Sequence, residues 1–116
     1  MASDAYVPTP TPASVTESDR RAEQIRALLE AVVTGPGTTD PSLRSAASRG
    51  IGLPTVLETY IAKIRRDSHR ITDRDVAQLR ANGYSEDDIF EITIAAALGV
   101  AAEGLETALR VMKGTR

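Results

Sequence analysis

The chain contains one histidine and no cysteine, and those two counts bound the chemistry open to it. Without a thiol there is no disulfide, no thiolate nucleophile and no dithiol redox pair. His69 is then the one side chain whose ordinary pKa lies near neutrality. It follows Arg65 and Arg66 at the end of an expected helix. Two readings of it stay open. It is an exposed histidine favoured by the negative end of that helix, or it is a general acid–base group in a cleft between the third and fourth helices. Asp75 reads as a helix-capping carboxylate that can also line a pocket. Glu91, set between Phe90 and Ile92, is a third candidate. If buried it needs a partner or a raised pKa, both marks of a functional group; otherwise it belongs to a solvent-facing strip with Asp87. The sequence holds no phosphate-binding loop, dinucleotide fingerprint or metal-ligand cluster, so neither cofactor nor metal is expected.

The elements that must position these groups are helical. A length of 116 residues suits one domain. Hydrophobic residues make up 41 % and aromatics only 3 %, so the core is built from Leu, Ile, Val and Ala. Such a core favours closely packed helices over sheets. The expected fold is all-α, with about five helices. Residues 1–17, with the run Pro8-Thr9-Pro10-Thr11-Pro12, read as a disordered tail, and residues 18–116 as a single helical domain.

Apolar residues at helical spacing predict the first helix from Ser18 to about Thr34, with Ala22, Ile25, Leu28, Leu29 and Val32 inward. Gly35-Pro36-Gly37 ends it. Asp40 as N-cap and Pro41 in the first helical position open a second, to Arg49. A third starts at Pro54, its stripe being Leu57, Tyr60, Ile61 and Ile64. Thr72 with Asp75 forms a capping box for the fourth, which Asn82-Gly83 stops with residues suited to positive φ. Ser85 and Asp88 repeat the device for a last helix over about 86–113. In that helix Ile89, Phe90, Ile92, Ile94, Leu98 and Val100 lie all round the axis, the pattern of a helix buried on most sides. Its length exceeds what a small domain needs, so part of its apolar surface is expected to face another subunit.

A net charge of −2, from 14 basic and 16 acidic residues, argues against a nucleic-acid partner, which needs clustered cations. The helix pair over 72–100 would present Glu86, Asp87 and Asp88 to phosphates, which also speaks against a DNA-reading role. The opening MASDAYVPTPTPAS lacks the charge and apolar run of a secretory signal. The nearly apolar run Ile92–Ala102 is too short to span a bilayer and is interrupted by Thr93 and Gly99. A cytoplasmic location with no membrane partner is the expectation.

The segment ITDRDVAQLRANGYSEDDIFEITIAAALGVAAEGLETALRVMK, Ile71 to Lys113, resembles the carboxymuconolactone decarboxylase and alkylhydroperoxidase D-like superfamily. The turn from Leu79 through Gly83-Tyr84-Ser85 to Ile89 and the Ala-rich helix after it carry the likeness. The resemblance implies an all-helical fold assembling into trimers or hexamers. Its redox branch carries a Cys-x-x-Cys-x-x-x-His motif. Counted back from Gly83, those cysteines fall at Ser68 and Ile71 and the histidine at Asp75, so none matches. The branch's proton-relay glutamate falls near Val56, with Glu58 two residues away. Thiol peroxidase activity is therefore not implied. Cofactor-free decarboxylase or isomerase chemistry, or binding of a small molecule, stays open, with His69, Glu58, Asp75 and Glu91 as candidate acid–base groups. The other expectation is a non-catalytic oligomerisation or interaction module working through the C-terminal helix.

Overall fold

Helices account for most of residues 16–114, the part of the chain described by a computed structural model. They are α1 (Glu17–Thr34), α2 (Pro41–Arg49), α3 (Thr55–Asp67), a 3₁₀ turn at Ser68–Arg70, α4 (Asp73–Ala81) and α5 (Glu86–Gly114). Among the described residues there is no strand. Most of the expected tail, residues 1–15, lies outside the described residues.

Local capping explains where the helices begin. Thr16 accepts from the Asp19 N–H while the Asp19 carboxylate accepts from the Thr16 N–H, so α1 starts at Glu17, one residue before the expected Ser18. Asp40 accepts from the Ser42 N–H, and Pro41 opens α2. Thr72 and Asp75 form the reciprocal box of α4. At α5, the Asp88 N–H donates to Ser85 Oγ and Asp88 Oδ2 accepts the Ser85 N–H, both at 3.0 Å. The stop after α4 differs from expectation in one respect. Gly83 takes φ 97°, whereas Asn82 stays at φ −92°.

Helix α5 is the axis of the fold. Lys113 Nζ meets Asp19 Oδ1 at one end and Thr38, just after α1, meets Glu91 at the other, so α1 runs antiparallel to α5. Tyr60 pairs with Thr93 and Arg65 with Glu103, so α3 runs parallel to it. Thr93 Oγ1 donates to the Ile89 carbonyl at 2.6 Å, which leaves Tyr60 to donate to Thr93, also at 2.6 Å. Ala47, Leu57, Ile61, Ile64, Leu79, Ile92, Ala95 and Ala96 form the core between α2, α3, α4 and α5. Helix α2 crosses so close to α5 that the Gly99 position faces the Ser48 backbone.

One expectation about α5 is overturned. Its buried residues are Ile89, Ile92, Ala95, Ala96 and Gly99, a single stripe, while Phe90 is 64 % exposed and Ile94, Leu98 and Val100 are only half-buried. The reason lies in supply. Four short neighbours cover one side of a 29-residue helix, and α1 spends its apolar face along part of it. By length and composition α5 also passes for a helix able to cross a membrane, with 22 % of its most apolar stretch buried in the chain. The expectation drawn from the shorter run Ile92–Ala102 did not count the apolar residues beyond Glu103.

Candidate functional site

The four candidate acid–base groups stand in separate surroundings. His69 lies on the 3₁₀ turn with its side chain 82 % exposed and its Nδ1 3.0 Å from Asp67. A cleft does exist between α3 and α4, of about 110 Å³, but its lining comes from Val56, Thr59, Tyr60, Asp75, Gln78 and Leu79, not from His69. Asp75 borders it while committed elsewhere. Lys63 Nζ donates to both its oxygens, at 2.9 and 3.0 Å, and it closes the α4 capping box. The Lys63 hydrogen bond, then the Thr72 N–H, hold its pKa below the usual carboxylate value.

Glu58 is exposed and borders a second cleft of about 170 Å³, with Gly50, Ile51, Leu53, Arg65 and Arg66 on its walls. Arg65 is already engaged. Its Nη1 donates to the Ser48 carbonyl at 2.7 Å and its Nη2 to both Glu103 oxygens at 2.7 and 2.8 Å. A third hollow, near Lys63, Arg66, Asp67 and Arg70, touches none of the four. Of these three clefts, none is lined by two of the candidates.

Glu91 has the densest set of partners. Of the two readings open for it, the structure shows the partnered one. Its Oε1 accepts the Thr39 N–H at 2.9 Å and the Thr39 hydroxyl at 2.6 Å. Its Oε2 accepts the Thr38 N–H at 2.7 Å. The Thr38 hydroxyl donates to Asp88 at 2.5 Å, which lowers the Asp88 pKa. Burial of Glu91 raises its pKa, but the threonine hydrogen bonds outweigh that and bring it from 4.5 to about 2.

Arg44 completes this constellation. It is 1 % exposed, and the other buried residues of its helix are the small Ala46, Ala47 and Ser48. Its Nη2 donates to the carbonyls of Val33 and Gly35 at 3.0 and 2.5 Å, closing the end of α1. Its Nη1 donates to the Thr39 carbonyl at 2.6 Å and lies 3.4 Å from Glu91 Oε1. Gly37 seals the cluster, because a Cβ there would stand 2.6 Å from Arg44 Nη1 and 2.7 Å from Glu91 Oε1. Sequence reasoning missed Arg44. The available signal was its place on one helix face with Ala47 and Ser48, three and four residues on. No buried side-chain nitrogen or oxygen among the described residues lacks a partner. The cluster ties the 35–40 loop to α5. Among the described residues no group of three or more His, Asp or Glu could hold a metal.

The depressed Glu91 pKa makes stability depend on pH in a defined direction. The carboxylate is favoured in the fold, so its contribution is full above its unfolded value near 4.5 and is lost as pH falls towards about 2. Urea unfolding across that window is expected to show a loss of about 2–3 kcal/mol from this group. Other carboxylates titrate there too. The difference between wild type and E91Q isolates the share of Glu91, and equal slopes for both would contradict it.

Comparison with protein-family models, with curated proteins and with solved structures finds no match for the chain.

Proposed function

We propose that this chain is a non-catalytic helical module that assembles through the outward face of α5. One observation carries the proposal: α5 bears an apolar face that the chain's own helices leave uncovered. Phe90, Ile94, Ala97, Ala101, Gly104 and Ala108 recur at alternating steps of four and three and form one face. From Phe90 to Ala108 that face is exposed except at half-buried Ile94 and carries no charged residue; Glu86 continues it into the first turn. Glu103, Glu106 and Arg110 lie on another side of the helix, where they are exposed, and the half-buried residues of this end are Ala102, Leu105 and Leu109. The scattered setting of His69, Glu58, Asp75 and Glu91 agrees with this reading, since acid–base catalysis needs convergent groups at one cavity.

A second reading has its own support. The Gly83-Tyr84-Ser85 turn, with positive φ at Gly83 and the Ser85–Asp88 pair, fits the likeness to the carboxymuconolactone decarboxylase and alkylhydroperoxidase D-like superfamily. The cleft at Glu58, Arg65 and Arg66 offers a carboxylate beside cations to a small acid. A cysteine-free member acting as a small-molecule binder, or as a lyase or isomerase, would use it.

The test is a charge placed on the outward face. Ala101 is exposed on a helix, so Ala101→Arg preserves the fold of the single chain. The expected result is unchanged helical circular dichroism with a drop in the mass found by light scattering, from an oligomer to one chain. An oligomer of unaltered mass would sink the proposal.

A further inference from the structure

We infer that the turn between α4 and α5 is a modification site, where attack by the chain's own backbone converts Asn82 to aspartate and isoaspartate at a rate set by local opening of the turn. The inference is independent of assembly through α5. Asn82 is the one asparagine in the sequence, and Gly83 follows it. Glycine lacks the Cβ that crowds the backbone nitrogen in other residues, so in an Asn-Gly pair that nitrogen reaches the side-chain carbonyl most readily. Both residues are exposed, so water and hydroxide have access to them. Hydroxide takes the Gly83 amide proton, and the nitrogen attacks Cγ of Asn82. The N–Cγ bond forms, the Cγ–Nδ2 bond breaks, and Nδ2 leaves as ammonia with a proton taken from water. Water then opens the resulting cyclic imide at one of its two carbonyls. Opening at Cγ leaves aspartate in an ordinary chain. Opening at the backbone carbonyl leaves isoaspartate, with the chain running through Cβ and Cγ.

The fold holds the two reacting groups apart. At Asn82 ψ is 10°, which puts the Gly83 nitrogen on the side of the Asn82 nitrogen, turned from the side chain. The Gly83 N–H donates to the Arg80 carbonyl at 3.0 Å. Asn82 Nδ2 donates to the Gln78 carbonyl at 2.8 Å, so the leaving group is tied back into the last turn of α4. The Tyr84 N–H donates to the Leu79 carbonyl at 3.2 Å, and the Tyr84 side chain packs against the core. Swinging the Gly83 nitrogen towards Cγ breaks all three bonds. They lie within residues 78–84, so a local opening suffices and the helices need not separate. Three hydrogen bonds of ordinary net strength make the open turn rare by on the order of 100-fold. The product then acts back on the turn. An aspartate at position 82 only accepts, so it cannot bond the Gln78 carbonyl, and it puts a negative charge at the unfavourable end of the α4 dipole. Isoaspartate adds a backbone methylene between Leu79 and Tyr84, whose hydrogen bond then no longer fits the span.

The exchange of ammonia for water is read by mass spectrometry on the tryptic peptide Ala81–Arg110, which holds Asn82 and no glutamine. The full chain is kept at alkaline pH, in native buffer and at a series of urea concentrations. The N82D chain marks the aspartyl peptide, from which the isoaspartyl peptide separates by chromatography. The expected result is conversion to both products in unfolding urea, and native conversion about 100-fold slower. The native rate is expected to stay level through low urea, because local opening exposes little surface, and to rise at the unfolding transition. A native rate as fast as that in unfolding urea would show that the turn holds nothing back. A native rate that vanishes, or that climbs with each increment of low urea, would show that the whole chain must unfold first. Either result would overturn control by the turn. No conversion in unfolding urea would remove Asn82 as a modification site altogether.

Discussion

Replacing Arg44 by alanine is expected to destabilise the fold by about 3–5 kcal/mol, the range for leaving a buried ionic and hydrogen-bonded group without its partner. The guanidinium reaches three backbone carbonyls, of Val33, Gly35 and Thr39, and its removal leaves these half-buried groups without a donor. The 3.4 Å approach to Glu91 is the weaker part of its work. Glu91 keeps its threonine partners in the variant, so most of the loss comes from the carbonyls. Arg44→Lys should recover little, because an ammonium group cannot reproduce the planar fork that spans the end of α1 and the 35–40 loop at once. Urea unfolding monitored by circular dichroism checks this. A loss below about 1 kcal/mol for R44A would show the carbonyls to be satisfied by water instead.

Gly99→Ala is expected to cost about 3 kcal/mol, at the upper end for overpacking a close contact. A Cβ at residue 99 would fall upon the Ser48 carbonyl oxygen, with the carbonyl carbon at 2.7 Å and the Ser48 Cα at 2.9 Å. These are backbone atoms, so no rotamer change relieves the overlap and α2 must move off α5. That movement also draws the Ser48 carbonyl away from Arg65 Nη1. The same substitution at Gly104 serves as control. There a Cβ meets nothing within the chain, and on the monomeric A101R background the gain in helix propensity should stabilise by up to about 1 kcal/mol. Opposite signs for one chemical change on one helix locate the cost in the α2–α5 contact. Equal effects at the two glycines would refute it.

What the sequence made legible was local. Asp40 with Pro41, Thr72 with Asp75, and Ser85 with Asp88 are signals spanning two or three residues, and each sits where the pattern placed it. The α3 stripe of Leu57, Tyr60, Ile61 and Ile64 is buried as its spacing required. The cap of α1 is Thr16, with Asp19 closing its box, so the helix begins one residue before the apolar spacing alone indicates. The tertiary links were beyond reach for a physical reason. Thr38 and Thr39 meet Glu91 across more than 50 positions of sequence, and nothing in the local pattern of Gly-Thr-Thr-Asp says which carboxylate it will wrap. Arg44 is harder still, since a cation on a short helix ordinarily faces water. In α5, apolar residues all round a helix do not say whether the chain itself supplies the cover. Here it covers one stripe.

The central claim, that the outward face of α5 joins copies of this chain, is tested most directly by sedimentation equilibrium of the wild-type protein over a micromolar concentration range. The account predicts a multiple of the chain mass at the upper concentrations, falling towards one chain on dilution. The mass of one chain at every concentration would contradict it.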